Sequence, residues 1–183
     1  MRLATIRNES GVEQLCFGLG DRFTPVNGAR SGTHFSHDLQ GVLQNGELPR
    51  LVDFLNGLTS HQRARLSHGP HSLSDARFGP LYRRPRKIWG IGLNYADHAR
   101  DLSESPPTGE PASFMKPDTA IIGPGDPVRL PIMSNRVTGE AELAIIIGTE
   151  CRNVPREDWL SVVGGFTTVV DMTAEDILRR NPR

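Results

Sequence analysis

Cysteine, net charge and long apolar runs are all missing or scarce in this sequence of 183 residues. The two cysteines, Cys16 and Cys151, lie far apart; they match no Cys-based metal pattern and fit a reducing, cytoplasmic compartment. Twenty-one basic side chains balance 21 acidic ones, which argues against an electrostatic grip on nucleic acid or on an anionic membrane. No apolar stretch approaches the roughly 20 residues that span a bilayer. The opening Met1-Arg2-Leu3-Ala4-Thr5-Ile6-Arg7 has no apolar core of the kind a secretory signal carries. The apolar fraction, 37%, is low and the charged fraction, 23%, is ordinary. There is no polar tract long enough to prevent folding. The length suits one domain, or one and a fraction.

The two halves of the chain differ. Residues 1–85 read as a small N-terminal domain and a connector, and residues 86–183 as a more patterned second domain. Met1 to Arg7 is expected to be a strand with Leu15–Leu19 as its hairpin partner. Leu51, Leu55 and Leu58 recur at helical spacing. Ser60 to Arg86 is polar and rich in His, Arg and Pro, and reads as a connector. His61, His68 and His71 fit no standard ligand spacing and are read as part of a solvated loop, with a metal site as the alternative. Beyond Pro85, Lys87–Ile91 is expected to be a strand ended by Gly92. A short helix from Tyr95 to Leu102 would place His98 and Asp101 on one face. The Pro-rich residues 103–113 read as a loop. Further strands are expected at Ser113–Lys116, Val128–Leu130, Glu140–Gly148 and Phe166–Val170. A helix is expected over Pro155–Val163, Pro first and Gly164-Gly165 after, and Thr173 reads as the N-cap of a last helix starting at Ala174.

The segment Glu140-Ala141-Glu142-Leu143-Ala144-Ile145-Ile146-Ile147 carries the clearest chemistry. In a strand, Glu140 and Glu142 project to one face, and Leu143, Ile145 and Ile147 point the other way into apolar packing. Adjacent carboxylates repel unless something positive lies between them, and an all-oxygen pair suits Mg²⁺, Mn²⁺ or Ca²⁺. A wet strand face bearing two acids explains the same pattern. Asp171 leaves an apolar strand just before a helix, which suits a third carboxylate or a structural turn. His98 with an acid on the same helical face is the minimal unit for proton transfer, and a surface histidine is the alternative. Lys116, ending an apolar strand, suits a carboxylate partner or solvent. Gly90-Ile91-Gly92-Leu93-Asn94-Tyr95 has Tyr where a dinucleotide loop needs its third glycine.

Taken together, the motifs resemble the fumarylacetoacetate hydrolase family. The similarity rests on Lys87-Ile88-Trp89-Gly90-Ile91-Gly92-Leu93-Asn94-Tyr95-Ala96-Asp97-His98, Phe114-Met115-Lys116-Pro117 and Gly123-Pro124-Gly125-Asp126-Pro127 with Leu130-Pro131. It continues through Gly139–Gly148 and Val163-Gly164-Gly165-Phe166 to Asp171-Met172-Thr173-Ala174-Glu175-Asp176. The resemblance implies an α+β, β-rich fold, a mixed β-sandwich or roll preceded by a small N-terminal α+β domain. It implies a homodimer and a divalent cation, Mg²⁺ or else Mn²⁺ or Ca²⁺, held by Glu140, Glu142 and Asp171. His98 and Asp101 would form the catalytic dyad on a lid, with Asp one methylene shorter than the usual Glu and Glu104 a possible substitute. Lys116 and Tyr95 would bind the substrate. The activity implied is C–C bond cleavage in 2-keto or β-diketo acids by a hydrolase or lyase; an isomerase or decarboxylase on the same site, or a non-catalytic remnant, are the alternatives. Family members continue past the position of Arg183, so the C-terminal part of the fold is expected to be missing here and the chain alone to be poorly active.

Overall fold

The computed structural model of the protein describes residues 1–28, 34–95 and 108–181. Its first part is built on a hairpin between β1 (Arg2–Arg7) and β2 (Glu13–Leu19). The turn closes because the Asn8 side chain accepts from the Val12 N–H at 2.9 Å and Gly11 takes a φ of +80°, left-handed geometry that glycine adopts without a Cβ clash. β3 (Arg22–Pro25), β4 (His71–Ser72) and β5 (Arg77–Phe78) complete an antiparallel sheet of order β4-β3-β2-β1-β5. Three short helices pack on it: α1 (Leu39–Gln44), α2 (Leu48–Asn56) and α3 (Ser60–Leu66). Leu51 and Leu55, one turn apart on α2, join Leu15, Phe17, Val42 and Leu66 in the main core. Burying each such side chain contributes about 1.5–3 kcal/mol.

The stretch 60–86 is more than a connector. Thr59 and Gln62 form a reciprocal capping box that starts α3, and β4 and β5 pad the two edges of the sheet. The two-residue strands are too short to show a period, so only the tertiary pairing reveals them. His61, His68 and His71 form no metal group among the described residues; the His71 ring pairs with the Gln14 amide at 3.2 Å.

The second part consists of two antiparallel ribbons. β6 (Ile88–Gly92) pairs with β7 (Ala112–Lys116). β8 (Val137–Ile147) pairs with β9 (Val163–Ala174), and α4 (Glu175–Arg180) follows. Gly90 faces Phe114 across the first ribbon, and a Cβ there would lie 2.3 Å from the ring. At the far end of the second ribbon a Cβ on Gly148 would meet the Gly164 backbone at 2.7 Å. The two chains therefore close there only because both residues are glycine.

Several expectations are corrected. Val128–Leu130 forms no strand. The segment after Pro155 is a 3-10 helix over Arg156–Val162, and Gly164-Gly165 belong to β9. Thr173 lies within β9; α4 begins at Glu175 with Ala174 at the N-cap and no side-chain cap. Asp176, placed one residue later, takes the Ser134 hydroxyl (2.6 Å) and the Asn135 N–H (3.0 Å) instead.

Leu143, Ile145 and Ile147 do share the face opposite the two glutamates, but that face is open. Their exposures are 59%, 49% and 54%, and cross-strand Phe166 and Val170 are exposed beside them. Among the described residues every buried apolar side chain except Pro80 and Ile146 lies before residue 67. The surface of 13115 Å² also exceeds the roughly 8,700 Å² of a compact chain of this mass.

The two parts are tied by a charged corner, and Leu48 of α2 also lies beside Gly148 and Gly164 at the end of the second ribbon. Arg7 holds Asp126 with two hydrogen bonds of 2.9 and 2.8 Å, and Asp126 also accepts from the Gly123 N–H at 2.8 Å. Gly123 approaches so closely that a Cβ would lie 2.9 Å from the Pro80 nitrogen. Among the described residues no helix is long and apolar enough to cross a membrane.

Candidate functional site

The β8–β9 register decides which acidic side chains meet. Glu140 is the Cα partner of Asp171, and Glu142 that of Val169. Residues directly opposite in an antiparallel pair share a face, at roughly 4.5–5.5 Å between Cα atoms, and the diagonal neighbour is at roughly 7–8 Å. Glu140, Glu142 and Asp171 therefore rise from one face of one ribbon, all partly buried. Asp171 is not in a turn, as its position before a helix suggested; β9 runs on to Ala174. The strand continues because Met172, Thr173 and Ala174 still pair with Gly139, Thr138 and Val137.

Lys116 reaches this face from the other ribbon. Its ammonium forms an ion pair with Asp171 Oδ1 and donates to the Met172 carbonyl at 2.7 Å. The side chains of Lys116 and Asp171 are 27% and 16% exposed, so water screens the pair only in part. Lys116 had a signal in the sequence as a candidate anion binder. Its pairing with Asp171 had none, since the two residues lie 55 positions apart and on different ribbons.

The donor set fits a hard divalent cation in kind, being all carboxylate oxygen, and Asp171 already attracts a positive group. The side chains as they stand do not close round one point: among the described residues no three His, Cys, Asp or Glu form a metal cage. A cation would therefore need these carboxylates to move from their present positions. Tyr95 is 44% exposed just after Leu93, whose φ of +55° turns the chain out of β6. His98, Asp101 and Glu104 lie outside the described residues.

The ribbons and the acidic face coincide with a known family. Residues 87–182 match the model of the fumarylacetoacetate (FAA) hydrolase C-terminal domain. The chain belongs to the fumarylacetoacetate hydrolase family. The mitochondrial oxaloacetate tautomerase fahd2 of Xenopus laevis is 38% identical over 132 residues, covering 69% of this chain and 41% of the relative. The solved structure of fumarylacetoacetate hydrolase from Exiguobacterium antarcticum superposes with a TM-score of 0.73 at 25% identity, covering 99% of this chain and 59% of that one. Maleylpyruvate hydrolase from Sphingobium sp. SYK-6, solved with manganese(II) and pyruvate, gives 0.62 at 31% identity over 94% of this chain and 59% of that one. The chain thus spans well under two thirds of these family members, with the same α+β, sheet-rich fold.

Proposed function

We propose that the acidic face of β8–β9 is the metal-binding part of an enzyme that cleaves C–C bonds in 2-keto or β-diketo acids. The observation that carries the reading is the opposition of Glu140 and Asp171 with Glu142 on the same face. The manganese and pyruvate in the Sphingobium relative support both the kind of ion and the kind of substrate. A divalent cation, Mg²⁺ or Mn²⁺ or Ca²⁺, would be held by Glu140, Glu142 and Asp171 and would supply Lewis-acid polarisation of keto and carboxylate oxygens.

The chain's own residues supply the rest. Lys116 offers a mobile point charge for a substrate carboxylate; Tyr95, exposed beyond the other end of β6, would contact a more distant part of the substrate, as the family resemblance implies. His98, with Asp101 or Glu104 beside it, would take a proton from water and hand it to the leaving carbon. In this reading the enzyme works as a homodimer in the cytoplasm, and the open apolar side of β8–β9 suits a subunit contact. A second reading, proton transfer in oxaloacetate without bond cleavage, is favoured by the tautomerase name of the Xenopus relative.

Incubating the protein with Mg²⁺ or Mn²⁺ and a panel of acylpyruvates, fumarylpyruvate and oxaloacetate tests both. Cleavage products from the diketo acids support the first reading, and enol–keto exchange of oxaloacetate alone supports the second. His98→Ala is expected to abolish turnover and leave metal affinity nearly intact; a large loss of affinity would make His98 a ligand.

A further inference from the structure

Lysine is rare in this chain. There are two, Lys87 and Lys116, against 19 arginines. Seven other ion pairs, from Arg7–Glu13 to Arg180–Asp176, are made by arginine. At the acidic face the partner of Asp171 is a lysine instead. The difference is physical: a guanidinium locks onto a carboxylate as a planar fork, whereas an ammonium is a point charge on a flexible four-carbon stem. A group that must later leave is better made as the second kind.

We propose that Lys116 is the resident counter-ion of the Glu140–Glu142–Asp171 face, that a divalent cation displaces it from Asp171, and that metal loading thereby frees the ammonium for an anionic substrate group. The inference rests on the metal-site reading above. Three observations carry it. The ammonium occupies Asp171 Oδ1 and the Met172 carbonyl together, so it sits where Asp171 would meet an ion. Two cations cannot share one carboxylate oxygen without repulsion, which this partly buried position screens poorly. Phe114, on the same face of β7, already has its ring centroid 5.8 Å from the paired ammonium, and this cation–π contact is one the group can keep when it leaves Asp171. Lys116 thus orders the two binding events, cation first and anion second.

Amine footprinting tests this on the native protein. The protein is acetylated briefly with an N-hydroxysuccinimide ester during a Mn²⁺ titration without substrate, and the peptides are read by mass spectrometry. Exposed Lys87 serves as the reference inside the same molecule. Labelling of Lys116 relative to Lys87 is expected to rise several-fold as Mn²⁺ saturates, and calorimetry is expected to show tighter Mn²⁺ binding by Lys116→Gln. Mn²⁺ binding with an unchanged labelling ratio, or with equal or weaker affinity in Lys116→Gln, overturns the proposal while leaving the metal site standing. Binding by Lys116→Gln and not by the natural sequence supports it. Failure of both proteins to bind Mn²⁺ overturns the metal site and this proposal together.

Discussion

Glu140 stands directly across the β8–β9 ribbon from Asp171, in a register that runs unbroken from Val137 to Ile146. A slip of one residue in either strand would turn one of these acids to the opposite side. The candidate site is therefore a property of strand pairing, and the substitutions that probe it divide by face.

Glu142→Ala and Asp171→Asn are each expected to weaken Mn²⁺ binding on the order of 100-fold, at or beyond the loss seen when groups supporting a metal ligand are removed. Thr168→Ala, on the other face opposite Leu143, is expected to leave the affinity unchanged. Isothermal titration on the three variants checks this; equal losses in all three would mean that the effect is on folding.

The corner between the two parts should be acid-sensitive. The Arg7 guanidinium, and after it the Gly123 N–H, hold the Asp126 carboxyl well below the usual carboxylate range. A depressed carboxyl gives stability that is complete above the unfolded value of about 4 and is lost as pH falls below it. Arg7→Met and Asp126→Asn are expected to lower Tm at pH 7, the double variant by less than the sum of the two. All three deficits should shrink below about pH 4, as followed by thermal melts.

Asp176 offers a bounded window. The Ser134 hydroxyl and then the Asn135 N–H bring its pKa down to about 2, fixing the segment before β8 to the start of α4. Asp176→Asn should melt below the natural protein at pH 7, and the gap should close between about pH 4 and about pH 2. A gap that stays constant across that range would show that the ionised carboxylate adds nothing.

Gly90 leaves room for one ring only. Gly90→Ala would place a Cβ 2.3 Å from Phe114 and is expected to cost about 0.5–1.5 kcal/mol, the cost of turning the half-exposed ring from its rotamer. Phe114→Leu in the same chain should return part of it. Chemical denaturation of the single and double variants measures both numbers.

The two thiols should differ sharply. Cys16 is buried, and burial pushes its pKa up to about 12, so it holds little of the reactive thiolate. Cys151 is exposed. Native protein is expected to titrate one thiol quickly with an aromatic disulfide reagent, and unfolded protein two.

Much of the fold was legible where a segment carries its own period or its own punctuation. The strands at Arg2–Arg7 and Ile88–Gly92, the helix around Leu51 and Leu55, and the long strand through Glu140 and Glu142 all announce themselves by spacing. The two-residue strands at His71 and Arg77 do not, because nothing local distinguishes a paired dipeptide from a loop. Val128–Leu130 reads as a strand by composition but finds no neighbour to pair with. Thr173 looks like a helix cap, yet its backbone bonds go to Thr138 in the ribbon, and a cap cannot form on a residue still held in a sheet.

The sequence by itself determined that two glutamates share a face, that a third acid follows an apolar run, and that the motifs lie in the order of one enzyme family. These are consequences of alternation and of residue order, which need no folded partner. Tertiary structure alone decided that Asp171 lies opposite Glu140, that Lys116 crosses between ribbons to reach it, and that Arg7 meets Asp126 over 119 positions of chain. The physical reason is that strand register and side-chain pairing are set by cross-chain hydrogen bonds and close contacts, quantities that no local stretch of sequence contains.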